Sequence, residues 1–259
     1  MLRACTGSAI VLVVPGAVVA SLLRLRLRSL TTWAAVPAFS LATVFIIAEA
    51  LDLVGLPFGL LTVSVGVIVL GGVAIARRRE TRATDEFGIT TSSHADTPDH
   101  ALERQIALGM LVLAIAAGLL IWFRGVDGHD LVPPQVDASN HGFFVARVLD
   151  SRSVDVSKIV VTDATGTHAV ASFYPLALHA SAAMAVRLTG ADIGRVLLVF
   201  DIVFASVVLP LGMFVLARSF APRVPLVAGF ASVAAKNPNA WSQTAFTPDE
   251  IATISTARS

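Results

Sequence analysis

With 259 residues, 55% of them hydrophobic and only 14% charged, and a mean hydropathy of +0.78, the chain lies outside the composition of soluble domains, where about a quarter of residues are charged. Nineteen Lys and Arg against 18 Asp and Glu leave a net charge of +1, and no basic run is interleaved with aromatics, which sets nucleic acid aside as a partner. Cys5 is the only cysteine, so an intrachain disulfide and a cysteine-rich metal site are excluded.

A membrane-crossing helix needs about 20 apolar residues, because the hydrocarbon core is about 30 Å thick and a helix rises about 1.5 Å per residue. In chain order the candidates are Ala4 to Leu23, Thr31 to Ala48, Val54 to Ala76 and Ile106 to Phe123. After a polar stretch come Ala169 to Val186, Val196 to Ala217, and a run from Val224 to Ala235 that is too short to span comfortably. None alternates polar with apolar residues as a barrel wall must. The expected fold is all-α: a multi-pass transmembrane helical bundle with an extracytoplasmic loop that carries an interfacial amphipathic helix. Pro15, Pro37, Pro57 and Pro210 fall in or near spans, where kinks are tolerated if neighbours satisfy the freed carbonyls.

Positive charge near a span is retained on the cytoplasmic side. Arg24, Arg26 and Arg28 follow the first span and Arg77, Arg78, Arg79 and Arg82 the third, whereas the turn between spans two and three holds only Glu49 and Asp52. Alternation then puts the N-terminus and the loop from Arg124 to Ala169 outside the cytoplasm. Reading the first run as a cleaved signal peptide, with Arg3 as its basic end, is opposed by the Arg cluster that follows it. An Arg-dominated basic set, with Lys158 and Lys236 the exceptions, suggests by association a GC-rich bacterial genome and hence a bacterial cell membrane.

The organisation expected is a three-span part over 1–76, a cytoplasmic linker over 77–105, a membrane part over 106–235 that includes the outer loop 124–168, and a polar tail over 236–259. In the linker, His94, Asp96, Asp99 and His100 lack rigid spacing and read as a solvated loop. Asp127, His129 and Asp130, flanked by Gly125 and Gly128, read as a turn, with a metal site as the sharper alternative.

Three constellations remain as candidates for chemistry. Asp137 and His141 are four residues apart, so on a helix they lie near one face, and the mixture of Phe143, Phe144, Val145, Val148 and Leu149 with Arg147, Asp150 and Arg152 suits an amphipathic helix. The bland alternative is an N-cap at Asp137 or Ser139. Tyr174 and Pro175 open the fifth run with His179 one turn inside it, where an ionisable group is costly unless partnered. Asp201 stands within the sixth run, where pairing with Arg187 or Arg195 is the structural alternative to a function.

An outward-going span, a large outer loop with an acid at the start of an amphipathic helix, then a span opening with Tyr-Pro and a His, resembles the GT-C superfamily of membrane glycosyltransferases. It resembles more closely the large actinobacterial multi-pass membrane proteins related to them. The resemblance covers roughly Ile106 to Ala217 and implies sugar transfer from a polyprenyl-phosphate donor outside the cytoplasmic membrane, with membrane lipids and the lipid-linked sugar as partners. It implies Asp137 as the catalytic base, with His141, Tyr174, Pro175 and His179 matching the pattern and His141, Tyr174 and His179 as substrate-binding residues; Arg147, or else Arg152 or Arg124, would offset the phosphate charge. Members often carry two adjacent acids, whereas Ala138 follows Asp137 here, so a divalent metal stays an open alternative. Members also have more spans, and the polar sequence after Ala235 fits an N-terminal portion of a longer chain, possessing the site without the full bundle. A transporter or channel with His179 and Asp201 along a polar path, and a non-catalytic scaffold, are the rival classes.

Overall fold

The computed structural model describes residues 1–27, 29–84, 101–126, 138–159, 176–220 and 224–234, and among them every regular element is helical. The helices are α1 (Leu2–Leu22), α2 (Leu30–Leu53), α3 (Leu60–Thr84), α4 (Ala101–Val126), α5 (Ala138–Ser151), α6 (Val156–Ile159), α7 (Ala177–Thr189), α8 (Ile193–Val203), α9 (Leu209–Phe220) and α10 (Pro225–Ala234). Five stretches are long and apolar enough to cross a membrane: Leu2–Leu22, Leu30–Leu53, Leu60–Arg77, Leu102–Gly125 and Ile193–Phe220. The protein is an all-helical membrane protein.

α1 and α2 meet backbone to backbone. Gly16 donates its amide to Ser40 Oγ at 2.7 Å, and a Cβ built on Gly16 would stand 2.0 Å from the Val36 carbonyl oxygen. Small residues are what allow such an approach, since lipid supplies no hydrophobic drive between helices and association rests on close packing and hydrogen bonds.

Two of the expected spans differ. The third begins at Leu60 and not at Val54, because α2 runs to Leu53 and the chain then turns through Gly55 at φ 71° before Pro57. The fifth is α7, a helix of 13 residues, with 169–175 outside the described residues. Its apolarity answers to protein burial and not to lipid: Ala180, Ser181, Ala182, Ala183 and Ala185 are all fully buried. α7 lies in the middle of the bundle, touching α1, α2, α3, α5 and α8.

α8 and α9 form one continuous 28-residue run joined by a π-helical turn, Phe204–Val208. Pro210 is the local cause, as it has no N–H to give and its ring collides with the carbonyl four residues earlier in an α-helix, so the chain widens just ahead of it. α9 and α10 pack on α4 through Phe214, Ala228, Ala107 and Leu111. The main core draws on α1, α2, α3, α5, α7 and α8 together, so it crosses the boundary that the 77–105 segment makes in the sequence.

α5 lays Val145 and Val148, both fully buried, against this core and leaves Phe143 outward. Its far end is strapped to the α2–α3 turn: Phe58 donates its amide to the Arg152 carbonyl at 2.6 Å, and Val154 donates its amide to Asp52 Oδ2 at 2.7 Å. A hydrogen bond to a charged group contributes about 1.5–3 kcal/mol. Asp52→Ala should therefore lower stability by about 1–3 kcal/mol, read as a drop in the melting temperature of the detergent-solubilised protein.

Candidate functional site

Two helices bring two histidines together, and a third carries Asp201 within Coulombic reach of one of them. α7 ends at Gly190, a left-handed cap at φ 62° that only glycine adopts without strain, and α8 starts at Asp192, whose carboxylate accepts from the amides of Gly194 at 2.9 Å and Arg195 at 3.3 Å. The two helices form a hairpin about this turn. His179 lies 11 residues before Gly190 and Asp201 11 residues after it, about 15 Å along α7 from Thr189 and about 12 Å along α8 from Ile193.

α5 runs beside α7 in the same direction. His141 meets His179 at one end, and at the other Arg187 donates an Nη hydrogen bond to the Leu149 carbonyl at 2.6 Å; both pairs are separated by 38 residues. Parallel helices in this register put His141 level with His179. The Asp201 carboxylate is within Coulombic reach of the His141 ring.

The His141 Nδ1 and His179 Nε2 atoms are 2.9 Å apart, the rings stack with centroids at 5.1 Å and an interplanar angle of 26°, and Phe144 closes edge-on over His179 at 5.3 Å. His179 is 1% exposed, while His141 is half-buried. One nitrogen of the pair must carry a proton and the other a lone pair. The arrangement can therefore hold, give or accept a proton inside a bundle.

Of the residues singled out by sequence, His141 and His179 are brought together. Arg147 is not brought to them: its Nη donates to the Lys158 carbonyl at 2.8 Å, toward α6. Asp137 directly precedes α5 in the sequence, but Asp137, Tyr174 and Pro175 lie outside the described residues, as do His94, Asp96, Asp99, His100, Asp127, His129 and Asp130. Of the two arginines offered as partners of Asp201, Arg187 is engaged elsewhere, its guanidinium donating to the Leu149 carbonyl, while the Asp201 carboxylate is within Coulombic reach of the His141 ring. Asp201 was a separate candidate in the sequence, without a link to His141. The equal spacing of His179 and Asp201 about Gly190 was the available signal.

Among the described residues no three His, Cys, Asp or Glu side chains converge as a metal would need. Beside the trio runs an apolar groove of about 380 Å³ between α1, α2, α4 and the α8–α9 run, lined by Leu12, Pro37, Phe123, Ile202 and Leu211 among others. Ile202 adjoins Asp201 in sequence, so the groove passes the polar level.

A model for a family of unknown function, DUF6541, matches residues 9–239, and the chain belongs to that family. No curated protein and no solved structure matches the chain.

Proposed function

We propose that this member of the DUF6541 family is a glycosyltransferase of a bacterial cell membrane that takes sugar from a polyprenyl-phosphate donor on the outer side. The observation that carries the reading is the docking of a loop-derived helix, α5, onto a buried histidine, with His141 on His179 at 2.9 Å. A soluble acceptor and a lipid-borne donor can meet only where an outer loop reaches the depth of the donor phosphate, and α5 is such a loop element. The apolar groove alongside, of about 380 Å³, has a lining that suits a hydrocarbon chain.

In this reading Asp137, which immediately precedes α5, removes the proton from the acceptor hydroxyl. The acceptor oxygen then bonds to the anomeric carbon as its bond to the phosphate oxygen breaks, and polyprenyl phosphate leaves with its electron pair. A general base contributes about 10²–10⁴-fold to such a step. His141 and His179, when they carry a proton, offset the phosphate charge, and Tyr174 lies at the start of the same segment as His179. Arg147, engaged at Lys158, is left out of the reaction centre.

A second reading, a transporter with a proton path, draws on His141, His179 and Asp201. Asp137→Asn separates the two. Transfer of labelled sugar from a polyprenyl-phosphate donor in membrane vesicles should fall at least about 100-fold with unchanged expression. Retained transfer overturns the enzyme reading, and proton-coupled flux lost in Asp201→Asn but kept in Asp137→Asn favours the transporter.

A further inference from the structure

Beyond that reading, we propose that the fissure between α1 and α3 binds an acyl chain of one anionic phospholipid, whose phosphate is held by Arg24, Arg26 and Arg77. The fissure has a volume of about 340 Å³ and is lined by Val14, Val18 and Ser21 of α1, Leu27 of the following turn, and Gly71 and Ile75 of α3. Apart from Ser21 its described lining is apolar. From Val13 to Ser21 it follows α1 for about 12 Å, so it is a slot along the helix and not a round cavity.

The helix directions bring the charge to one end of this slot. A second cavity is lined by Ile10 and Val11 of α1 with Leu60 and Val63 of α3, and the fissure by Val18 and Ser21 with Ala74 and Ile75, so the two helices run parallel and finish together. Arg24 follows Ser21 by three residues, Arg26 adjoins Leu27, and Arg77 follows Ile75 by two; all three are exposed. The turn that carries the first two is fixed. Arg24 and Leu25 donate their amides to the Ser21 and Ala20 carbonyls at 3.1 and 2.9 Å, and Trp33 Nε1 donates to the Leu27 carbonyl at 2.7 Å. No acid interrupts 23–29, and in sequence Arg78, Arg79 and Arg82 follow Arg77 with Glu80 among them. α4 begins toward this end with Glu103 and Arg104, whose charges cancel, α9 ends toward it with Arg218, and neither helix lines the fissure. Glu49 and Asp52 belong to the opposite end of α2.

Positive charge beside a span orients a membrane protein whatever it touches. An apolar slot that ends among the arginines adds a place for a ligand. A guanidinium matches a phosphate through two parallel hydrogen bonds, and basic pockets between membrane helices take acidic headgroups. A zwitterionic lipid brings a cation against the arginines, and free phosphate leaves the slot empty. An anionic phospholipid fills both parts.

The test titrates the full chain in mild detergent with phosphatidylglycerol or phosphatidylcholine of the same acyl chains. The melting temperature reports binding, because a ligand of the folded state raises stability with its concentration, and native mass spectrometry counts the lipids bound. One phosphatidylglycerol should bind, at least about tenfold more tightly than phosphatidylcholine. Combining Arg24→Gln, Arg26→Gln and Arg77→Gln, all at exposed positions, should erase that preference. Gly71→Leu should remove the bound lipid with every arginine intact, since its side chain enters the fissure while a Cβ there meets nothing within 4 Å. Equal affinity for the two lipids overturns the proposal, as does a phosphatidylglycerol retained in Gly71→Leu, which would leave only charge attraction at the surface. Tighter binding of polyprenyl phosphate than of phosphatidylglycerol would also overturn it, giving the fissure to the donor. None of these readouts involves sugar transfer, so they stand or fall apart from the proposed reaction.

Discussion

Replacing Gly16 by leucine should abolish the folded bundle. Any side chain at this position starts with a Cβ 2.0 Å from the Val36 carbonyl oxygen and 2.7 Å from Ser40 Oγ, so the α1 and α2 backbones themselves must separate. Overpacking a well-packed core costs about 1–3 kcal/mol when flexible side chains can give way, and here the obstacle is backbone. The separation also breaks the hydrogen bond from the Gly16 amide to Ser40 Oγ, leaving both groups without water to replace it. The sum, about 4 kcal/mol or more, is a large share of the 5–15 kcal/mol that holds a typical protein folded. Gly71→Leu is the matched control, since nothing lies within 4 Å of a Cβ there. Fluorescence-detected gel filtration in mild detergent, with a thermal ramp, should show G16L aggregated or absent and G71L close to wild type. A G16L protein with wild-type melting would mean that α1 and α2 do not cross in this way.

The contrast between those two glycines marks what the sequence could disclose. Both sit in apolar runs of similar composition, and nothing local tells a lipid-facing glycine from one at a helix crossing. Long apolar runs were legible because the hydrocarbon core fixes their length, and the helical class followed from the need to satisfy backbone groups in lipid. The same reasoning did not tell α7 from the more lipid-exposed helices, since burial in protein and burial in lipid select the same Ala and Val. Its full enclosure appears only in three dimensions.

Charge patterning carried further. The acidic turn after α2 and the polar stretch after α4 were assigned to one side of the membrane, and the bonds from Val154 to Asp52 and from Phe58 to Arg152 hold those segments at one end of the bundle. The amphipathic helix at α5 was also readable. Its partner was not, because it packs Val145 and Val148 into the core, in parallel with a helix 38 residues away, and no local spacing encodes that contact. His141 and His179 were therefore both visible as candidates while their meeting was not, and of the two arginines offered to Asp201, Arg187 serves a backbone carbonyl.

Replacing His179 should have the largest effect on activity of any change among the described residues. The side chain is 1% exposed, hydrogen-bonded to His141, and capped by Phe144, so His179→Ala removes a hydrogen bond, a ring stack and a filled volume at once. A truncation of this size in a core costs about 2–5 kcal/mol. Much of that cost falls on the first turn of α5, because the rest of the helix keeps Val145, Val148 and the Arg187 bond to Leu149. If Asp137 is the base, loosening the turn that follows it misplaces the carboxylate without touching the donor's hydrocarbon groove, and a misplacement of about 1 Å is enough to cost about 100-fold. The expected result is a fall in kcat of about 10²–10³-fold with KM for the lipid donor changed far less. His179→Gln, which keeps a hydrogen-bonding group toward His141 but cannot become a cation, divides the effect: recovery of most of the rate assigns His179 to holding α5, whereas a rate as low as that of the alanine variant assigns it to the charge that the pair presents. Wild-type turnover in His179→Ala would remove this level of the bundle from the reaction altogether.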